Sequence, residues 1–203
     1  PLSTATLYAG HLQNPLLSDA LRQKFSTKLM GRLQHIERQI RDMLIFSKSD
    51  IRLDTKLILN DFLMDLVSSS EEICEQRNAT LEVTLPSNMQ AYLLQCNKDT
   101  LIGALHNLLN NSIDAQDEGG TIRLHCGCDN DAVSIDFIDS GVGMTDEQLQ
   151  KIQDGFVTTK QHGTGLGIMV VKAVARAHHG QFEIQSEQGK GTLARVLLPL
   201  IKV

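Results

Sequence analysis

The 203 residues carry 19 basic and 24 acidic side chains, a formal net charge of −5, with 41% hydrophobic and 21% charged residues. This balance excludes a disordered tail or a low-complexity segment, and its acidic sign argues against a nucleic-acid partner held through phosphates. Aromatic residues are only 4% with no Trp, which excludes a module that stacks single-stranded bases, and no apolar run reaches the roughly 18–20 residues of a membrane span.

The chain opens on Pro1 and reads as starting inside a longer protein. Leu2 to Gln13 predicts a short helix, and Asn14-Pro15 marks a reversal. Ser18 is an N-cap candidate. Behind it Leu21, Phe25, Leu29, Leu33, Ile36, Ile40 and Met43 recur at steps of three and four, one stripe of a long helix. A hairpin this thin cannot bury that stripe alone. It is expected to pair with a second copy as half of a dimeric four-helix bundle, in preference to lying on another domain. Residues 1–50 form this unit.

From Ile51 the texture changes. Leu57-Ile58-Leu59 predicts a strand, Asn60-Asp61 the cap of a helix running to Arg77, and Leu81–Leu85 a strand stopped by Pro86. A strand near Ala91–Leu94 leads into a long helix from Lys98 to Gln116. Gly119-Gly120 is a turn, and Ile122–Leu124 and Val133–Phe137 alternate as antiparallel strands. A helix at Leu166–His179 and strands at Phe182–Ser186 and Leu193–Leu198 complete the chain. The fold class is α+β, a helical hairpin followed by an α/β sandwich over residues 51–203, large enough for its own core. Cys74, Cys96, Cys126 and Cys128 fit neither a disulfide framework nor a zinc knuckle, and read as ordinary thiols in a reducing cytosol.

Three polar and glycine clusters stand out. On the long helix, Asn107, Asn111 and Asp114 recur at i, i+4 and i+7 and share a face, a donor set suited to a hard cation shared with phosphates or simply to water. Asp139-Ser140-Gly141-Val142-Gly143-Met144 follows an apolar strand. A carboxylate there can accept from an exocyclic amine, and the glycines let backbone approach a flat ring; an ordinary Asp-Ser-Gly turn has the same letters. Gly163-Thr164-Gly165-Leu166-Gly167 opens the last helix, where unpaired N–H groups meet an anion. Ile168 replaces the last glycine of the dinucleotide fingerprint and no strand precedes it, which disfavours a Rossmann site; no Walker A motif occurs.

Their order resembles the N, G1 and G2 boxes of the Bergerat-fold (GHKL) ATPases. Phe156-Val157-Thr158-Thr159-Lys160 looks like the F box and short lid of sensor histidine kinases, and Gly189-Lys190-Gly191-Thr192 like their last glycine box. The resemblance implies ATP and Mg²⁺ as cofactors. It implies Asp139 as acceptor of the adenine amine within Gly141, Gly143 and Met144, Asn111 as the Mg²⁺ ligand with Asn107 and Asp114 on its face, and Phe156, Thr159 and Thr192 as further nucleotide contacts. Lys160 and the backbone of Gly163, Thr164, Gly165, Leu166 and Gly167 would meet the phosphates, under a lid from Met144 to His162. Gyrase-like and MutL-like relatives carry a glutamate base where this chain has Asn107, which cannot take a proton near pH 7. The site therefore resembles one that transfers phosphate rather than hydrolysing ATP.

The hairpin resembles the dimerisation and histidine-phosphotransfer domain of these kinases. There the phosphoacceptor stands five residues before a proline, and Pro1-Leu2-Ser3 matches the end of that motif, so the histidine is expected ahead of Pro1. His11-Leu12-Gln13-Asn14-Pro15 mimics the motif, but its proline comes at +4 and no basic residue sits at +3. The implied partners are a homodimer through the hairpin and a response regulator whose aspartate takes the phosphate. The lid resembles the nitrogen-regulator subgroup, which implies a sigma-54 activator, and Leu7–Leu12 resembles flagellar-regulatory kinases. A hydrolytic GHKL ATPase and a non-catalytic, degenerate kinase module are the competing readings.

Overall fold

The structure, a computed structural model, describes residues 2–47, 51–87, 89–116, 119–129, 131–155 and 166–202. The chain divides into two compact units, Pro1–Ser47 and Lys48–Val203.

The first unit is an antiparallel pair of helices, α1 (Leu2–Leu12) and α2 (Asp19–Ser47). Asn14 makes the reversal, its Oδ1 accepting the Leu16 N–H at 3.0 Å, and Ser18 Oγ accepts the Leu21 N–H as the α2 cap. The His11 ring stacks on Phe25 with centroids 4.9 Å apart, and Tyr8 packs on the same ring at 6.0 Å. Along the predicted stripe, Leu21, Leu33, Ile40 and Met43 remain 44–58% exposed, so two helices alone leave it half uncovered.

The second unit begins with β1 (Thr55–Ile58), α3 (Leu59–Gln76), β2 (Thr80–Thr84) and β3 (Tyr92–Cys96). It continues through α4 (Lys98–Asp114), β4 (Thr121–Cys128), β5 (Ala132–Asp139), α5 (Asp146–Asp154) and α6 (Leu166–Ala177). It ends with β6 (Gln181–Glu187), β7 (Gly191–Pro199) and β8 (Ile201–Lys202). The main sheet has the order β2-β4-β5-β7-β6, with only β2–β4 parallel, and a small sheet has the order β1-β3-β8. The core lies on one face of the main sheet. Phe62, Leu63 and Leu66 of α3, Leu101, Leu105 and Leu108 of α4, and Val170, Val171 and Val174 of α6 are buried with Leu124, Ile135, Phe137 and Val196 of the strands.

Two details differ from expectation. Asn60 and Asp61 do not cap α3: the helix starts at Leu59 with Ile58 at the cap position and no side-chain bond, so Asp61 instead faces the positive helix end from the first turn. The stretch after Met144, where no helix is predicted, includes α5. Its signal is a capping box, Thr145 Oγ1 accepting from the Gln148 N–H while Gln148 Oε1 accepts from the Thr145 N–H.

Candidate functional site

The site grows from the ends of α4 and β5. Asn97 starts α4, its side chain accepting the Thr100 N–H at 3.2 Å, and Leu101, Leu105, Leu108 and Leu109 turn one side of the helix into the core. Asn107 and Asn111 are then left half-buried on another side, with Asp114 exposed one turn on. Gly167, in the first turn of α6, stands over Asn107: a Cβ on it would lie 3.9 Å from the Asn107 Cβ. The structure thus brings the asparagine face of α4 to the start of α6, and Leu166 begins that helix.

Asp114 is engaged elsewhere. Its Oδ1 accepts from the Arg77 guanidinium at 2.6 Å, a partner 37 residues away at the end of α3. No local pattern could have shown this pair, because it depends on how α3 packs beside α4.

Asp139 closes β5 with its side chain in the core, 4% exposed. In the sheet register it sits between Ile122 of β4 and Thr192 of β7. Its Oδ1 accepts the Gly141 N–H at 3.0 Å, and the Ser112 hydroxyl and the Thr192 N–H also donate to the carboxylate. Burial pushes this carboxyl above the usual carboxylate range, and those three donors pull it back. Ser112, one residue past Asn111, escaped the sequence reading. It is the link by which α4 holds the carboxylate.

The glycines that follow have a packing role. A Cβ on Gly141 would overlap the Ala115 carbonyl oxygen, where the Val142 N–H donates at 3.0 Å. One on Gly143, at φ +60°, would overlap the Glu187 carbonyl oxygen, and one on Gly191, at φ +103°, the Asp139 carbonyl oxygen. Protein backbone, drawn from the ends of α4 and β5 and from the β6–β7 turn, fills the space these glycines leave, and the Gly189 N–H donating to Val142 at 2.8 Å ties the two loops. Met144 follows as a half-buried residue. Phe156, Thr159, Lys160, Gly163, Thr164 and Gly165 lie outside the described residues.

Two other features bound the chemistry. The four cysteines are free, and burial pushes the thiols of Cys96 and Cys126 up to about 11 and about 12, which leaves them protonated and unreactive. Among the described residues, no helix is long and apolar enough to cross a membrane, and no cluster of three or more His, Cys, Asp or Glu could hold a metal ion.

Comparison with known proteins agrees with this layout. The chain is 39% identical over 201 residues to the sensor protein kinase FleS of Pseudomonas aeruginosa, covering 99% of this chain and 49% of FleS. It is 34% identical over 141 residues to the sensor histidine kinase ZraS of Klebsiella oxytoca, covering 68% of this chain and 30% of ZraS. The chain thus spans about half or less of the curated relatives it matches. Among solved structures, the Acinetobacter baumannii histidine kinase AdeS shares the fold with a TM-score of 0.68 at 18% identity, over 98% of this chain and 95% of that one. The profile of the histidine kinase-, DNA gyrase B-, and HSP90-like ATPases matches residues 96–202, the stretch that holds α4, Asp139 and α6, and the chain belongs to that family.

Proposed function

We propose that the chain is the ATP-binding catalytic core of a cytoplasmic two-component sensor histidine kinase. It transfers the γ-phosphate to a histidine that the motif spacing puts five residues ahead of Pro1, and from there to the aspartate of a response regulator. The observation that carries this reading is the meeting around Asp139 of α4 through Ser112, β7 through Thr192 and the turn through Gly141, beside the α4 face that reaches Gly167. The half-exposed stripe of α2 supports a homodimer through the hairpin. The likeness to the sensor protein kinase FleS supports a sensor kinase, and the resemblance of the lid and of Leu7–Leu12 supports the flagellar, sigma-54 branch for the response regulator.

In this reading Asp139 accepts the exocyclic amine of adenine, which selects adenine because guanine offers a carbonyl oxygen at that position. The α6 N-terminus, with Gly163 to Gly167 and Lys160, holds the phosphates by N–H groups and charge. Phe156 and Thr159 act in the lid, and Met144 and Thr192 line the base pocket. Asn111 and Asn107 supply amide oxygens, which suit Mg²⁺, a cation that keeps most of its positions for phosphate and water. When bound, Mg²⁺ neutralises phosphate charge. The chain's own contribution is to fix the nucleotide for in-line attack, since phosphoryl transfer rests chiefly on positioning and charge stabilisation. Asn107 offers no base for water, which favours a histidine acceptor over hydrolysis.

Calorimetry with ATP and Mg²⁺, paired with γ-labelled ATP, tests the reading. The chain is expected to bind nucleotide without labelling itself, and addition of the upstream histidine segment to restore labelling. Absence of Mg²⁺-dependent binding points to a degenerate module. Steady turnover abolished by Asn111→Ala points to a hydrolase, and label on His11 overturns the assigned acceptor.

A further inference from the structure

Asp114 places a carboxylate on the face that, in the reading above, holds a polyphosphate. At 1.5 Å of rise per residue it stands about 4.5 Å along α4 from Asn111 and about 10 Å from Asn107. This is also the negative end of the helix dipole, and the sequence continues with Asp117 and Glu118. Uncompensated, such charge repels a nucleotide.

The compensation comes from Arg77, whose guanidinium lies 2.6 Å from Asp114 Oδ1. Its backbone is fixed independently of that contact. The Arg77 N–H donates to the Cys74 carbonyl at 3.1 Å, Asn78 takes the left-handed conformation at φ +51°, and the Ala79 N–H returns to Cys74 at 2.9 Å, closing α3. Beside the pair opens a cavity of about 290 Å³, lined by Arg77, Asp114, Ile113, Gln116 and Gly120 among others. Gln116 Oε1 in turn accepts from the Ser140 hydroxyl at 3.3 Å, so this patch adjoins the turn after Asp139.

We infer that Arg77 is a positioning residue of the nucleotide site: by neutralising Asp114 it lets the α4 face accept a triphosphate and sets the preference for ATP over ADP. The inference rests on the ATP-binding reading. A unit charge about 8 Å from a phosphate charge changes affinity about 2- to 30-fold across effective dielectric constants of about 80 to 20.

The test is calorimetric titration of ATP and ADP, each with Mg²⁺, into the wild-type chain, Arg77→Gln, Asp114→Asn and the double variant. Arg77→Gln is expected to weaken ATP about 2- to 30-fold, and more than ADP. Asp114→Asn is expected to tighten ATP, and the double variant to return the ATP-to-ADP ratio to within about twofold of wild type. Arg77→Lys, which keeps the charge, should rescue most of the loss. Both single variants weakening ATP and ADP in parallel, or a double variant no better than Arg77→Gln, overturns the inference while leaving ATP binding intact. A wild-type chain that binds neither nucleotide overturns both readings.

Discussion

Asp139→Asn separates binding from stability, because the structure sets the two against each other. The carboxylate is 4% exposed, and burial outweighs the three donors, so its folded pKa lies above the unfolded value. For such a group the stabilising contribution is full below the unfolded value, near 3.9, and is lost as pH rises through the folded pKa. At pH 7 the charged form therefore costs stability. Asparagine keeps the shape and an oxygen for the Gly141 N–H, and the rotatable Ser112 hydroxyl can accept from its new amide. Without nucleotide, the variant is expected to melt at least as high as wild type at pH 7, with any advantage shrinking as pH falls through the carboxylate range. Binding should move the other way. A hydrogen bond to a charged acceptor contributes about 1.5–3 kcal/mol, so its loss weakens ATP roughly 10- to 150-fold. Thermal melts across pH without nucleotide, and calorimetry with it, measure both. A variant that binds ATP as wild type does, or that melts well below it at pH 7 in the absence of nucleotide, refutes the reasoning.

His178 is 1% exposed, its Nε2 accepting the Asn97 N–H at 3.0 Å and its Nδ1 donating to the Val174 carbonyl at 2.7 Å, which requires the neutral ring. Burial lowers its pKa, so its contribution is present above about pH 6.5 and is lost as pH falls toward the folded value; urea titrations should show wild type losing stability over that window, and His178→Ala lacking that loss while costing about 2–4 kcal/mol at pH 7.5. Gly143→Ala meets both a left-handed φ and the Glu187 carbonyl and should cost about 2–5 kcal/mol, whereas Gly103→Ala, in open space on α4, should gain about 0.5–1 kcal/mol; thermal melts distinguish them. Asn111→Ala should remove the Mg²⁺ dependence of ATP affinity, so that a chelator weakens binding by wild type but leaves the variant unchanged in parallel titrations.

Periodicity made most of the fold legible. The steps of α2, the alternation of β5 and the apolar side of α4 each follow from a local period that burial enforces. What escaped was set by pairing over distance or by a weak local signal. The small sheet needs β8, two residues long, to find β3 across the chain, and its register leaves no mark in Ile201-Lys202. The capping box of α5 was legible in Thr145 and Gln148, but the helix buries no residue, so no apolar stripe announced it.

The site divides along the same physical line. Motif spacing located the carboxylate and the asparagines because each must stand at a fixed place on one element. It could not locate all that holds them, since Ser112 and Arg77 meet those residues only through the packing of separate elements. The glycines of the turn after β5 carry the sharpest lesson. Their letters suggest room for a flat ring, yet the space beside Gly141 and Gly143 is taken by the Ala115 and Glu187 carbonyls. A turn wedged between α4 and the β6–β7 turn is rigid before any ligand arrives, so Asp139 is preorganised. In the proposed reading, nucleotide preference is then tuned by groups that change charge without moving that turn. The exposed pair of Arg77 and Asp114 meets that condition, since its guanidinium is held at the end of α3 and its carboxylate on α4, and neither contributes backbone to the wedge.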